Sequence, residues 1–330
     1  MDRRPYSEIS HPQSHNRKEK LMQIYEYPGE NRIDGKCVLA LGFFDGVHIA
    51  HRDLIKTARK IAEEKGLPLG IFTFTGDVKG GAERIYSDRE KNRIFESLGA
   101  DFTVYADFAA IKDLSPEEFV KKVLVSSLGC AISVAGFNFR FGRGASGDAE
   151  SLAALMAKSG GEAVIKNEIT QGGETVSSTR IRDLLTSGRI KEATSLLGAP
   201  YYIIGRVEHG NKTGRTLGFP TVNLPLVDGA VTLKRGVYRS AVPIGEKIYH
   251  GITNIGTCPT FDERSVHSET YILDFEGDIY GEEICIYLLD FMREEIAFST
   301  PNDLKMQINI DKNRAIKENG DITWQELGLK

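Results

Sequence analysis

The hydrophobic pattern of this chain changes period near residue 200, and that change limits the architectures open to it. From about 37 to 190, short apolar runs alternate with stretches of helical period. Residues 37–42 (CVLALG) form a continuous apolar run ending at glycine, the pattern of a strand buried on both faces. Leu54, Ile55, Ala58, Ile61 and Ala62 then share one helical face, and Gly66-Leu67-Pro68 stops that helix. Further strands are predicted at 69–74, 101–108, 131–137 and 162–169, and further helices at 88–98, from 115, at 148–159 and from 177. Ser115-Pro116-Glu117-Glu118 reads as a capping box, with proline at the first helical position. Strands and helices alternating at this spacing imply a parallel sheet covered on both faces.

Beyond 200 the runs YYIIGRVE, GVYRSAVPI, KIYHGITNI, HSETYILDF and EEICIYLLDF follow one another, divided by Gly, Pro, Asp and Asn with little helical period between them. That texture predicts an antiparallel barrel or sandwich. Thr300-Pro301-Asn302-Asp303 starts a closing helix, with Leu304 and Ile308 facing inward. The chain of 330 residues therefore reads as α/β plus β: an extension over 1–21 without apolar period, expected to be disordered, a first domain over 22–197 and a second over 198–330.

The formal charge of −4 and the isoelectric point near 6.0 argue against a dedicated nucleic-acid binder, which needs a strong basic excess. No apolar run reaches the roughly 18 residues of a membrane span, and the polar start lacks the apolar core of a secretory signal. Cys37, Cys130, Cys258 and Cys285 are far apart and form no Cys-x-x-Cys pair, so reduced thiols in a cytoplasm are expected.

Two regions carry chemistry. Gly42-Phe43-Phe44-Asp45-Gly46-Val47-His48-Ile49-Ala50-His51 follows the first apolar run and opens the first helix. In a doubly wound sheet this junction offers free N–H groups and the positive helix end to an anion. Gly42 and Gly46 allow close approach of backbone, and His48 and His51, three apart, share a face from which imidazoles can donate to phosphate. The same two histidines could also be a packed capping pair. Ser177-Ser178-Thr179-Arg180-Ile181-Arg182 starts another helix after a strand; alone it is a capping segment, but beside the first loop its hydroxyls and two arginines form a second jaw for a polyphosphate. Gly142-Arg143-Gly144-Ala145-Ser146-Gly147 also satisfies Gly-x-Gly-x-x-Gly, but it follows the wrong strand and reads as a flexible loop.

In the second domain, Gly205 to Asn223 is rich in glycine and basic residues and narrowly misses a P-loop, since Asn211 separates Gly210 from Lys212. A turn containing Gly205, Gly210, Gly214 and Arg215 can still wrap polyphosphate, or be no more than a surface hairpin. Thr221 and Asn223, two apart on an extended segment, point the same way and offer Mg²⁺ a hydroxyl and an amide oxygen.

The first loop resembles the His-x-Gly-His signature of the nucleotidyltransferase superfamily, and Ser-Ser-Thr-Arg-Ile-Arg resembles its C-terminal phosphate motif. Within that superfamily the first domain is similar to the adenylyltransferase half of the bacterial bifunctional riboflavin kinase/FMN adenylyltransferases, whose internal motif Gly136-Phe137-Asn138-Phe139-Arg140-Phe141-Gly142 also resembles. The segment 205–223 resembles the Gly-Arg…Gly-Phe-Pro-Thr-Ala-Asn signature of riboflavin kinases, with Val222 for Ala. Gly236-Val237-Tyr238, Thr253 to Phe261, and Glu269 to Gly281 follow in family order.

The resemblance implies a Rossmann-like sheet joined to a riboflavin-kinase barrel. It implies phosphorylation of riboflavin to FMN and adenylylation of FMN to FAD with release of pyrophosphate, ATP serving both steps with Mg²⁺. By the same carry-over, Gly42, Phe43, Asp45, His48, His51, Ser178, Thr179 and Arg182 bind ATP for adenylyl transfer, and Asn138 binds FMN. Thr221 and Asn223 sit at Mg–ATP, and Glu269 is the general base of the kinase. Two departures stand out: Ala50 replaces the usual Gly, and Thr73-Phe74-Thr75-Gly76-Asp77 replaces a Thr-Phe-x-Pro-His-Pro loop. They leave a second reading, a working kinase fused to a silent or sensing nucleotidyltransferase domain. Class I aminoacyl-tRNA synthetases share the histidine loop, but the acidic balance argues against them. The expected partners are riboflavin, FMN, FAD and ATP, without nucleic acid or membrane; self-association is left open.

Overall fold

The computed structural model describes residues 22–29, 33, 35–75, 83–208, 219–226, 229–257, 266–317 and 322–329, so the extension expected over 1–21 lies outside it. The chain divides into two compact units between Ile181 and Arg182.

The first unit is built on six parallel strands: β1 (Gln23–Tyr27), β2 (Cys37–Leu41), β3 (Leu69–Thr75), β4 (Phe102–Asp107), β5 (Cys130–Gly136) and β6 (Glu162–Lys166). Their spatial order is β1-β4-β3-β2-β5-β6. Every residue of β2 is buried, as its unbroken apolar run requires. The edge strand β1 (QIYEY) is a strand that the sequence pattern does not predict; it is half polar and, among the described residues, pairs only with β4, so no apolar run announces it. The helices are α1 (Ile49–Lys65), α2 (Asp88–Ser97), α3 (Phe108–Ile111), α4 (Pro116–Glu118, continuing with π-helical winding over Phe119–Ser127) and α5 (Ala149–Lys158). The Ser115 box is formed: its Oγ accepts the Glu118 N–H at 3.2 Å, and Glu118 Oε2 accepts the Ser115 N–H at 2.9 Å. Leu39, Leu41, Phe72, Val104, Phe119, Leu124, Leu152 and Met156 meet in one core.

A short hairpin, β7 (Thr170–Gln171) and β8 (Glu174–Thr175), leads into α6 (Ser178–Thr186), within which the division between the units falls. The Gly142–Gly147 loop is held rather than free: Phe141 and Gly147 form a β-bridge, and the Arg143 guanidinium donates to the Asp113 carbonyl at 2.7 and 3.0 Å.

Cys37 and Cys130 are register partners on β2 and β5, both buried. Burial pushes the Cys37 thiol up to about 12 and raises that of Cys130. Thiolate is the reactive form. Neither cysteine is therefore expected to react with iodoacetamide at pH 8 until denaturant is added, a result that peptide mapping checks.

The second unit begins with the last turns of α6 and α7 (Ile190–Leu197), whose Lys191 pairs with Asp290 at 2.7 Å. Its strands are β9 (Tyr202–Arg206), β10 (Thr221–Pro225), β11 (Gly236–Ile244), β12 (Lys247–Thr257), β13 (Val266–Ile272) and β14 (Glu283–Arg293). All pair antiparallel, in the order β10-β13-β12-β11-β14-β9. The end strands approach each other where Glu208 bridges Asn223, its N–H donating to the Asn223 carbonyl at 2.9 Å. Between barrel and sandwich, the nearly closed barrel is what forms. Inside it, Thr253 Oγ1 lies 2.8 Å from both Ser240 Oγ and Thr270 Oγ1, all three residues fully buried.

The closing helix α8 (Pro301–Lys317) turns half-buried Leu304 and Ile308 inward, and continues the face with Asp311 and Ala315. Arg293 Nε and Nη2 each donate to Asp311, at 2.7–3.2 Å, and Gln307 donates to it at 3.0 Å. Removing one partner of a buried pair leaves the other uncompensated. Asp311→Ala is thus expected to lower stability by about 3–5 kcal/mol, read as a fall in unfolding midpoint in urea.

Candidate active sites

β2 is flanked by β3 on one side and β5 on the other, a reversal of strand order of the kind at which doubly wound sheets bind ligands, beyond the carboxyl ends of the strands. The 42–51 loop leaves β2 there, and Gly136-Phe137-Asn138 leaves β5. Asn138 is exposed, next to a tight turn in which the Phe139 N–H donates to the Gly136 carbonyl at 3.0 Å.

The loop itself is a left-handed turn. Phe44, Gly46 and Val47 have φ of 52°, 77° and 40°. For β-branched Val47 that is a strained conformation, which persists only where surrounding contacts over-determine it. Those contacts are visible. Asp45 is buried, its Oδ1 accepting the Ile85 N–H at 2.9 Å. Thr73 Oγ1, at the end of β3, donates to the Phe43 carbonyl at 3.1 Å. A Cβ on Gly46 would stand 2.8 Å from Ile85 Cδ1, so glycine is required twice over, for its φ and for the space.

His48 caps α1 and is buried; its Nδ1 accepts the His51 N–H at 3.4 Å. In the neutral ring this leaves the proton on Nε2, the nitrogen that can donate to an oxyanion. The rings of His48 and His51 stack at 3.6 Å, and Phe44 meets His51 edge-on at 5.2 Å. The first turn of α1 carries no acidic residue, so its positive end remains available to an external anion.

Ser178 joins the two motifs: its Oγ donates to the Asp45 carbonyl at 2.9 Å, across 133 residues of sequence. Thr179 follows it on α6, and Arg182 lies four residues on along the same helix. Arg180 does not serve as the second arginine of an anion grip. Its Nη1 donates to the carbonyls of Gln171 and Glu174 at 2.9 and 3.2 Å, and its Nε pairs with the Glu174 carboxylate at 3.1 Å. It is committed to the β7–β8 hairpin.

In the barrel, strand alternation separates two faces. Ser268, Thr270 and Ile272 of β13 are buried while Glu269 is exposed; Val222 and Leu224 of β10 are buried while Thr221 and Asn223 are half-buried. Register then sets Asn223, Glu269 and Asn254 in one row across β10, β13 and β12. Thr221 Oγ1 donates to Glu269 Oε1 at 2.7 Å. A carboxylate bonded this way keeps acceptor capacity on its other oxygen, and a hydroxyl that donates its proton keeps its lone pairs for a hard cation. Asn254, whose Nδ2 donates to Glu295 Oε1 at 3.4 Å, falls in the Thr253–Phe261 motif, to which the sequence assigns no role; only the pairing of β12 with β13 brings it beside Glu269. Gly205 lies in β9 opposite Ile284, and Leu224 Cβ is 3.4 Å from where its own Cβ would be. Gly210, Gly214 and Arg215 fall outside the described residues.

Comparison with known proteins follows the same division. A family model described as FAD synthetase matches residues 30–180, and one described as riboflavin kinase matches 197–318. The bifunctional riboflavin kinase/FMN adenylyltransferase of Bacillus subtilis is 35% identical over 293 residues, covering 86% of this chain and 92% of its own. The chain belongs to the bifunctional riboflavin kinase/FMN adenylyltransferase family. The Escherichia coli K12 member is 34% identical over 284 residues, covering 84% of this chain and 90% of its own. A solved structure from Streptococcus pneumoniae, described as a macrolide-efflux protein, superposes with a TM-score of 0.80 at 32% identity, over 89% of this chain and 99% of that one. Among the described residues no helix is long and apolar enough to cross a membrane. The FAD synthetase match contains the 42–51 loop and Asn138, and the riboflavin kinase match contains Thr221, Asn223 and Glu269.

Proposed function

We propose that this family member makes FAD from riboflavin in two ATP-dependent steps, one in each unit. The carrying observation is that separated motifs converge twice: Ser178 reaches Asp45 in the parallel-sheet unit, and Glu269 reaches Thr221 beside Asn223 in the barrel.

In the barrel, the riboflavin 5′-hydroxyl attacks the γ-phosphorus of ATP. Glu269 accepts its proton as the bond forms, and ADP departs. The exposure of the carboxylate and the Thr221 bond to one of its oxygens support that role. Among the described residues no cluster of three His, Cys, Asp or Glu could cage a metal. Mg²⁺ rarely needs such a cage, since it is held by one or two protein groups together with phosphate and water. Thr221 and Asn223 fit that demand; the ion would neutralise phosphate charge.

In the first unit, an oxygen of the FMN phosphate attacks the α-phosphorus of ATP, forming FAD and releasing pyrophosphate. The nucleophile is already anionic, so the step asks for orientation and donors rather than a strong base. His48, His51, the start of α1, Ser178 and Thr179 supply donors and positive potential, with Gly42, Phe43 and Asp45 shaping the loop; Asn138 is assigned to FMN.

The test is a chromatographic assay with two starting points. Riboflavin with ATP and Mg²⁺ is expected to give FMN and then FAD, and supplied FMN is expected to give FAD. FMN accumulating from riboflavin, with no FAD from supplied FMN, would instead mark the first unit as non-catalytic.

A further inference from the structure

Lys91 is a charged residue for which neither reaction has a use, and it is 3% exposed. Burying an ammonium is costly unless it is compensated. Here it pairs with Asp88 Oδ1 at 2.8 Å, and it stands 5.9 Å from the ring centre of Phe43 and 5.5 Å from that of Tyr105. The Tyr105 ring is itself fixed, its hydroxyl bonded to Asn92 Oδ1 at 2.9 Å and the Asp88 carbonyl at 3.2 Å. A methionine could fill much of the same volume without the cost. What the ammonium adds is attraction to two ring faces at once.

We propose that Lys91 is a positioning residue for the nucleotide loop, holding the Phe43 ring from the α2 side and so fixing the left-handed turn that follows it. Phe43 is then gripped twice, at its carbonyl by Thr73 and at its ring by Lys91. The residues just beyond it include the strained ones, Phe44 and Val47, on either side of left-handed Gly46. Their other anchor, Ile85, lies on the segment leading into the same helix: its N–H holds Asp45, and its side chain closes over Gly46. The start of α2 therefore acts as a platform for the loop, and from it Lys91 directs a cation at the Phe43 ring.

The inference rests on adenylyl transfer by the first unit, and its test separates the two. In Lys91→Met, the KM for ATP in FAD formation from supplied FMN is expected to rise about tenfold, with kcat within about threefold. Amide exchange over residues 43–48 should quicken, and Lys91→Arg should restore both. Phe43→Leu should raise the same KM, with Lys91→Met adding nothing on that background. An unaltered unfolding transition in urea reports that the substituted unit is folded, and riboflavin phosphorylation, in the other unit, serves as the internal control. An unchanged KM and exchange in Lys91→Met, or effects that simply add in the double variant, would overturn the proposal. If Lys91→Met does not fold, Phe43→Leu decides: raised KM and faster exchange support the role, and neither change removes it. If the unaltered protein makes no FAD, the adenylyl-transfer reading fails, while the exchange comparison still decides whether Lys91 holds the loop.

Discussion

Glu269→Gln is expected to slow FMN formation from riboflavin by about 10²–10⁴-fold, the usual worth of a general base. The amide keeps the size of the side chain and can still accept the Thr221 hydroxyl, so the row Asn223–Glu269–Asn254 should persist and KM values should move little. What disappears is the basic oxygen to which the proposed mechanism gives the proton of the attacking hydroxyl. FAD formation from supplied FMN should continue at its normal rate, because that reaction uses the other unit. Steady-state assays of both half-reactions on one preparation make the comparison internal. A variant that lost both while keeping its unfolding transition would show that the two sites are not separate.

The converse experiment removes both imidazoles of the first unit. His48→Ala with His51→Ala is expected to cut FAD formation from supplied FMN by about 10²–10³-fold and leave FMN formation intact. The effect has two sources. One is loss of the donors themselves, His48 Nε2 foremost. The other is loss of the α1 cap, since His48 Nδ1 accepts the His51 N–H and the two rings stack at 3.6 Å. His48→Asn separates them, because an asparagine side chain can still cap a helix but presents no imidazole. It should retain helix stability in hydrogen exchange while remaining slow in adenylyl transfer.

Much of this architecture is legible in one sequence because burial leaves periodic marks. The unbroken run of β2, the Ser115 box and the inward face of α8 each follow from residue pattern alone. What escapes is what depends on partners distant in the chain. β1 owes its place to pairing with β4, not to its own composition. Asn254 joins Glu269 only through the register of β12 on β13. Arg180 and Arg182 look alike on paper, and only the hairpin before them shows that Arg180 is committed elsewhere. Lys91 reads as one more polar residue on an amphipathic helix until its burial is seen. The glycine and histidine spacing of the 42–51 loop is legible because a tight backbone turn leaves few residue types to choose from.

Strand β13 does two jobs with alternate residues: Ser268 and Thr270 line the sealed interior, and Glu269 between them faces out. Inserting or deleting a single codon there would exchange the two sets, driving a carboxylate in among Ser240 and Thr253 and turning hydroxyls toward the substrate. The outward position of Glu269 is thus held by the buried residues on either side of it. Length variation in descendants of this gene should gather in turns such as 245–246 and spare 266–272.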